Sequence, residues 1–194
     1  MSEEKSPLFT PASADIAPDL AAAATAETTA NAPAADAALF APPAPTATAR
    51  VVAYARDKWV AFAPHATQEF VENPQYLTVP GGAYYAYGLL HWQDRHIPFI
   101  HLESLLLAYP AFDAKAAAPH ALVLAYQAAP NAPLQYGAVA VAETPFSRTV
   151  SDADFNPLPT DSDMWAELAI SCFKQDGRVY PILDAARIFS RYHG

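Results

Sequence analysis

From Arg50 onward, short hydrophobic runs alternate with polar turns, which is typical of antiparallel β-sheets. Runs 51–56 and 59–62 flank the polar pair Asp57 and Lys58 and predict a hairpin. Further runs predict strands at 68–71, 84–92, 96–100, 121–126, 136–142, 165–173 and 179–183. Short strands separated by turns favour small closed barrels, so the sequence predicts an all-β fold.

Two segments, 102–109 and 184–192, have helical spacing instead. In the second, Ala185, Ile188, Phe189 and Tyr192 recur at helical intervals. Asp184 precedes them, and we expect its side chain to cap the helix. The module therefore contains short helices among its strands.

Residues 1–49 have a different composition: they contain 18 alanines, 7 prolines and six acidic residues, and Lys5 is their single basic residue. Such a segment offers little apolar surface to offset its ordering entropy, so we predict a disordered tail at 1–49 and a folded domain at 50–194. We expect the tail to be dispensable for folding. A short partner-binding motif around Leu39 and Phe40 is the alternative role for this segment.

An internal echo links the two halves of the domain. The run 93–100 contains a polar turn, a strand with Pro98 and the start of a helix, and 175–183 repeats this order around Pro181. Proline cannot donate a hydrogen bond to a sheet, so we expect both prolines at equivalent edge positions of two similar barrels.

Composition narrows the function classes. The net charge is −9 and no cluster of basic residues is present, which disfavours nucleic-acid binding. No secretory leader or run of about 18 apolar residues is found, so we expect a cytoplasmic protein without direct membrane insertion. The single cysteine, Cys172, lies in an apolar run and is expected to be buried and unreactive.

A search for catalytic motifs favours a non-enzymatic protein without a cofactor. Phosphate-binding glycine loops, nucleophile elbows and Cys/His pairs are not found. Four acids flank a proline pair in a segment that we interpret as a solvated loop: Asp152, Asp154, Asp161 and Asp163. Gly88 interrupts an aromatic strand, which indicates a bulge or the close approach of another backbone.

Three histidines, His91, His96 and His101, are spaced five residues apart and suggest an alternative function, a small β-barrel enzyme that binds a metal or ligand. On one continuous strand, however, side chains alternate, so His96 would face away from the other two. Extended spacing would also keep His91 and His101 too far apart to share an ion. We therefore expect no metal site.

Residues 79–102 resemble the central motif of CheW-like domains, which couple components of bacterial chemotaxis and pilus-motility signalling. The shared features are a proline, aromatic residues, a glycine before two aliphatic residues, a polar turn and an Ile-Pro pair. They correspond here to Pro80, Gly88 with Leu89 and Leu90, and Ile97 with Pro98. The resemblance extends over roughly 50–192.

This resemblance implies a fold of two small five-stranded barrels that share a hydrophobic interface. It also implies a non-catalytic adaptor that bridges the regulatory domain of a CheA-type histidine kinase and the cytoplasmic tip of a chemoreceptor. Recruitment to membrane-associated receptor arrays or to the cell pole would follow. The partner-binding residues that it suggests are Glu69, Gly88, Leu89 and Gln93.

The chain also departs from the family pattern at three positions. Gln93 stands where the family has an arginine, so hydrogen bonding is kept but the charge is lost. His101 and Ala140 stand where aspartates are usual. These changes put receptor coupling in question more than the fold, and they indicate a divergent member linked to pilus motility or protein localisation.

Overall fold

The computed structural model describes residues 45–111, 118 and 120–190. The strands are β1 Thr46–Ala55, β2 Lys58–Phe62, β3 Thr67–Glu72, β4 Tyr76–Leu77, β5 Ala86–Trp92, β6 Arg95–Ile100, β7 His120–Tyr126, β8 Gln135–Val141, β9 Phe146–Ser151, β10 Ala169–Gln175 and β11 Arg178–Leu183. The helices are α1 Leu102–Leu107, α2 Met164–Leu168 and α3 Ala185–Ser190. Within these residues, no helix is long and apolar enough to cross a membrane.

The strands form two sheets, which confirms the predicted all-β fold with two lobes. The first lobe has five strands in the order β10-β11-β2-β1-β9, and the second has six in the order β3-β7-β8-β6-β5-β4. The sixth strand of the second lobe is the two-residue β4, which pairs with β5. Its brevity explains why the hydrophobic pattern did not reveal it.

Each lobe has its own apolar interior, and a third cluster joins them. Phe173 and Tyr180 fill the first lobe, while Leu90 and Phe99 fill the second. The third and largest cluster draws on strands of both sheets and on all three helices; its fully buried members include Phe62, Ile100, Leu102, Leu124, Leu168, Ile188 and Phe189. This shared core agrees with the interface that the family resemblance implies.

The N-terminal boundary of the folded module lies before the predicted Arg50. Strand β1 begins at Thr46 and pairs with β9 from its first residue, Thr46 opposite Ser151. Ala49 is already buried in the first lobe. Removing 46–49 would therefore strip part of the β1–β9 ladder. Residues 1–44, including Leu39 and Phe40, lie outside the described residues, so the prediction of a disordered tail there stays a prediction.

The predicted strand at 165–173 is wrong in its first half, where the chain forms α2. Ser162 Oγ accepts a hydrogen bond from the Met164 amide at 3.2 Å, and Asp161 Oδ1 accepts one from Trp165 Nε1 at 2.7 Å. These bonds favour a helical turn at this point. Periodicity cannot separate a short buried helix from a strand when the apolar run is continuous.

The internal echo is present as two hairpins that each lead into a helix. In the β5–β6 hairpin the turn residues Gln93 and Asp94 both have positive φ, and in the β10–β11 hairpin Asp176 and Gly177 do. Two such residues characterise a type I′ turn, which matches strand twist. The hairpins continue into α1 and α3, and Asp184 Oδ1 accepts from the Ala186 amide at 2.8 Å, confirming the predicted cap. Tyr192 lies outside the described residues.

The two prolines occupy equivalent positions, but the prediction that they lie at sheet edges is wrong. Pro98 lies opposite Leu89 and Pro181 opposite Cys172, and both β6 and β11 are interior strands. In each hairpin this is a non-hydrogen-bonded pair, so the proline nitrogen points toward the other neighbour. That neighbour is a parallel strand whose pairing begins one residue later, at Phe99 or Ile182. The missing donor therefore interrupts neither ladder.

Candidate functional site

The best candidate surface is the outer side of strands β4, β5 and β6, which we call the hairpin face. Leu77, Leu89 and Pro98 are in register across the three strands, so they lie on the same side of the sheet. Two residues further along, His91 and His96 form a second row on that side. Gln93 is exposed in the turn beyond them. Leu89 therefore lies on the hairpin face and Gln93 lies in the turn at its end, and a partner-binding role for either residue stays a prediction.

Large apolar side chains are exposed on this face and in the segment that follows β4. Leu77 is 59% exposed, and the segment that follows it adds Val79 at 43% and Tyr84 at 41%. A turn closed by the Gly82 amide and the Val79 carbonyl at 3.1 Å presents these side chains. Partly exposed Tyr and large aliphatic residues beside a half-buried apolar row are typical of the centre of a protein interface.

Gly88 is not open to a partner. It is buried, has φ of 134°, and a Cβ at this position would lie 1.9 Å from the carbonyl oxygen of Leu77. The backbone that approaches Gly88 is therefore β4 of the same chain. A bulge between Ala86 and Gly88 accompanies the approach. The expectation that a partner contacts the Gly88 backbone is corrected, since glycine is required here to let β4 cover β5.

Glu69 lies on β3, which pairs with β7. Its carboxylate reaches β5 through a side chain, because Trp92 Nε1 donates a hydrogen bond to Glu69 Oε2 at 2.6 Å. The indole itself is buried in the interior of the second lobe. Glu69 therefore anchors Trp92 and also exposes a carboxylate. Local sequence patterns carry no signal for this bond, because the two residues are 23 positions apart.

The turn at Gln93 retains a nearby positive charge although the family arginine is absent. Arg95, two residues further on, places its guanidinium 5.6 Å from the centroid of the Tyr136 ring. Stacking on an aromatic ring suits an arginine because its hydration is weak. The end of the hairpin thus presents one fixed cation, displaced toward β8.

The three histidines do not form one site. His101 caps α1, with its Nδ1 accepting from the Ser104 amide at 3.1 Å and lying 2.9 Å from Ser104 Oγ. Burial lowers the pKa of His101, while the Glu103 carboxylate opposes that shift. His91 and His96 are direct cross-strand partners, so the prediction that they face opposite sides is wrong: the turn at Gln93 reverses the chain between them.

Other chemically suggestive residues have structural roles. Asp154 accepts from the Ser151 amide at 2.8 Å, and this bond lowers the pKa of Asp154. Cys172 is buried, which raises the pKa of its thiol. In the described part of the chain, no group of three or more His, Cys, Asp and Glu side chains could hold a metal ion. The enzyme alternative therefore gains no support.

Comparisons with known proteins agree with this arrangement. A family model described as the CheW-like domain matches residues 51–193. The crystal structure of the scaffolding protein TtCheW from Thermoanaerobacter tengcongensis is similar, with a TM-score of 0.53 over 72% of this chain and 90% of that chain. At 15% identity, that similarity shows the fold. A search of curated proteins found no match.

Proposed function

This chain belongs to the CheW-like domain family, and on that premise we propose that it is a non-catalytic adaptor coupling a chemotaxis-type histidine kinase to a chemoreceptor. The observation that carries the proposal is the extent of the family match, which runs from β1 through α3 and so includes both lobes. We place the adaptor in the cytoplasm, with recruitment to receptor arrays or the cell pole through its partners.

The hairpin face is the surface on which we place partner binding. It combines an apolar row at Leu77, Leu89 and Pro98 with a polar rim at His91, His96 and Gln93. An apolar centre within a polar rim is the usual anatomy of a protein interface. Gly88 contributes indirectly, because it lets β4 lie against β5 and so places Leu77 beside Leu89.

Calorimetry with a CheA-type regulatory domain and, separately, with a receptor tip fragment tests this proposal. Leu77→Asp should weaken binding of the partner that docks here by at least about tenfold, which is about 1.4 kcal/mol. Leu77 is exposed, so folding should be unaffected. The matched control is Phe155→Asp, since Phe155 is 68% exposed on the first lobe and should leave binding unchanged.

The outcomes separate two claims. If neither partner binds the unaltered chain, the adaptor function is contradicted. If a partner binds equally well to the unaltered chain, Leu77→Asp and Leu89→Asp, the adaptor function stands and the hairpin face is the wrong surface.

Glu69 requires a more careful substitution because it has two roles. Glu69→Gln keeps an acceptor for Trp92 Nε1 but removes the charge, whereas Glu69→Lys removes both. If the charge steers a partner, Glu69→Gln should slow association and weaken its dependence on salt. If only the bond to Trp92 matters, Glu69→Gln should bind normally and Glu69→Lys should lower the melting midpoint.

A further inference from the structure

His91 and His96 form an exposed pair on the hairpin face. They are direct partners in the β5–β6 ladder, and their ring centroids are 5.4 Å apart. The His91 amide donates to the Gln75 carbonyl at 2.9 Å, outside the hairpin, so this is a non-hydrogen-bonded pair. At such positions the Cβ atoms approach most closely, which directs both rings into the same space above the sheet.

This separation matches what one metal ion requires of two imidazoles. With metal–nitrogen bonds of about 2.0–2.1 Å and tetrahedral angles, the centroids of two coordinating rings lie about 5 Å apart. Two histidines on adjacent strands also hold their Cβ atoms on a rigid hairpin, which limits the entropy lost on binding.

Neither imidazole is engaged elsewhere in the described structure. No hydrogen bond or ion pair joins the His91 or His96 ring to another described residue, and both side chains are exposed. His101 differs, since its Nδ1 is held by Ser104. The second hairpin offers an internal contrast, because Lys174 and Val179 occupy the positions that correspond to His91 and His96.

We propose that His91 and His96 chelate one transition-metal ion of the Zn²⁺ class on the hairpin face. Imidazole is a preferred ligand for Zn²⁺, and two of them in this geometry fill two of its four positions. The remaining positions face solvent and take water. The site is a surface chelate without a catalytic role, and the proposal does not rest on the adaptor function.

A Zn²⁺ titration monitored by NMR tests the proposal, with the full chain prepared without a polyhistidine tag. Amide and imidazole signals of His91 and His96 should shift together on binding one equivalent. His91→Asn and His96→Asn should each weaken Zn²⁺ binding by at least about tenfold, or about 1.4 kcal/mol. His65→Asn, which removes an exposed histidine outside the hairpin face, should leave it unchanged. Binding should also weaken at acidic pH, because protonated imidazole cannot coordinate.

Transplanting the pair provides a gain of function. Replacing Lys174 and Val179 together by histidine should create a second site of similar affinity, so that two equivalents of Zn²⁺ bind. A melting curve without metal checks that this variant folds. The proposal is overturned if the unaltered chain shows no saturable Zn²⁺ binding, or if binding persists when His91 and His96 are both replaced by Asn.

Discussion

The two hairpins of this molecule have the same pairing register but differ in how deeply corresponding residues are buried. Residues correspond position by position: Leu89 opposite Pro98 in the first hairpin, and Cys172 opposite Pro181 in the second. In the first, Leu89 and Pro98 remain half-buried beside the exposed Leu77. In the second, Cys172 and Pro181 are buried, and the Asn156 amide donates to the Cys172 carbonyl at 3.0 Å.

The two hairpins also differ in the segment that runs beside the edge of each. The chain after β9 runs along β10, where Phe155 forms a single bridge with Phe173. The first hairpin meets only the two-residue β4 on that side. Our proposal places partner binding on the first hairpin, where Leu89 and Pro98 remain half-buried, and not on the second, where Cys172 and Pro181 are buried.

The two hairpins also differ at one residue of the β-bulge that each contains. Gly88 and Ser171 occupy the same position after the bulge in their hairpins. Glycine is required only at the first, where Leu77 passes over the backbone and φ is 134°. Serine is accommodated in the second because the backbone at Ser171 does not have positive φ. The presence of β4 therefore dictates the glycine.

Exchanging the residue types at these two positions should change the free energy of unfolding by very different amounts, and this is the largest effect that we predict. Gly88→Ser should destabilise the fold by about 2 kcal/mol or more, because its Cβ would collide with the Leu77 carbonyl in a backbone conformation that L residues avoid. The reverse change, Ser171→Gly, should cost about 1 kcal/mol or less. Urea denaturation of both variants gives the two values.

Gly177→Ala separates backbone strain from collision. Gly177 also has positive φ, at 76°, but a Cβ there meets nothing within 4 Å. It should therefore cost about 1–2 kcal/mol from conformation alone. If Gly88→Ser were no more destabilising than Gly177→Ala, β4 would not be packed on Gly88 in solution.

The helix caps give a smaller, pH-dependent contrast between the hairpins. His101 caps α1 and Asp184 caps α3 at corresponding positions. The pKa of His101 is lowered from 6.5 mainly by burial, so the unfolded chain binds this proton more readily than the folded one. The stability contributed by neutral His101 is therefore complete above about pH 6.5 and is lost as the pH falls toward the folded pKa.

We expect His101→Asn to remove this part of the pH dependence. Asparagine can still accept the Ser104 amide bond but does not titrate, so the melting midpoint should change less between pH 7.5 and 5.5 than in the unaltered chain. His65→Asn, at an exposed site, is the control. An unchanged pH profile in His101→Asn would show that His101 is not held neutral by the fold.

Sequence reasoning recovered what local chemistry encodes. Turn residues, a proline and a helical pattern recur in each hairpin unit, so the echo and the cap at Asp184 could be predicted from neighbouring residues. The position of Pro98 and Pro181 was wrong because a parallel partner strand leaves no local trace. The pairing of His91 with His96 was missed because the two residues were taken to lie on one strand, although Gln93 and Asp94 form a turn between them.

The candidate site depended still more on distant contacts. Gly88 was recognised as needing a close backbone approach, but only the structure shows that Leu77 supplies it. The bond from Trp92 to Glu69 likewise joins strands that are not neighbours in their sheet. Contacts of this kind depend on how the sheet closes, which hydrophobic periodicity does not specify.

Hydrogen exchange of the complex tests the central claim, that the first hairpin is the docking surface and the second is not. The unaltered chain would be compared alone and saturated with a CheA-type regulatory domain or a receptor tip fragment, with amide exchange followed by mass spectrometry. We predict slower exchange on binding across 76–98, which includes β4, β5 and the turn at Gln93, and no change across 169–183. Protection confined to 169–183, or to neither hairpin, would contradict the account.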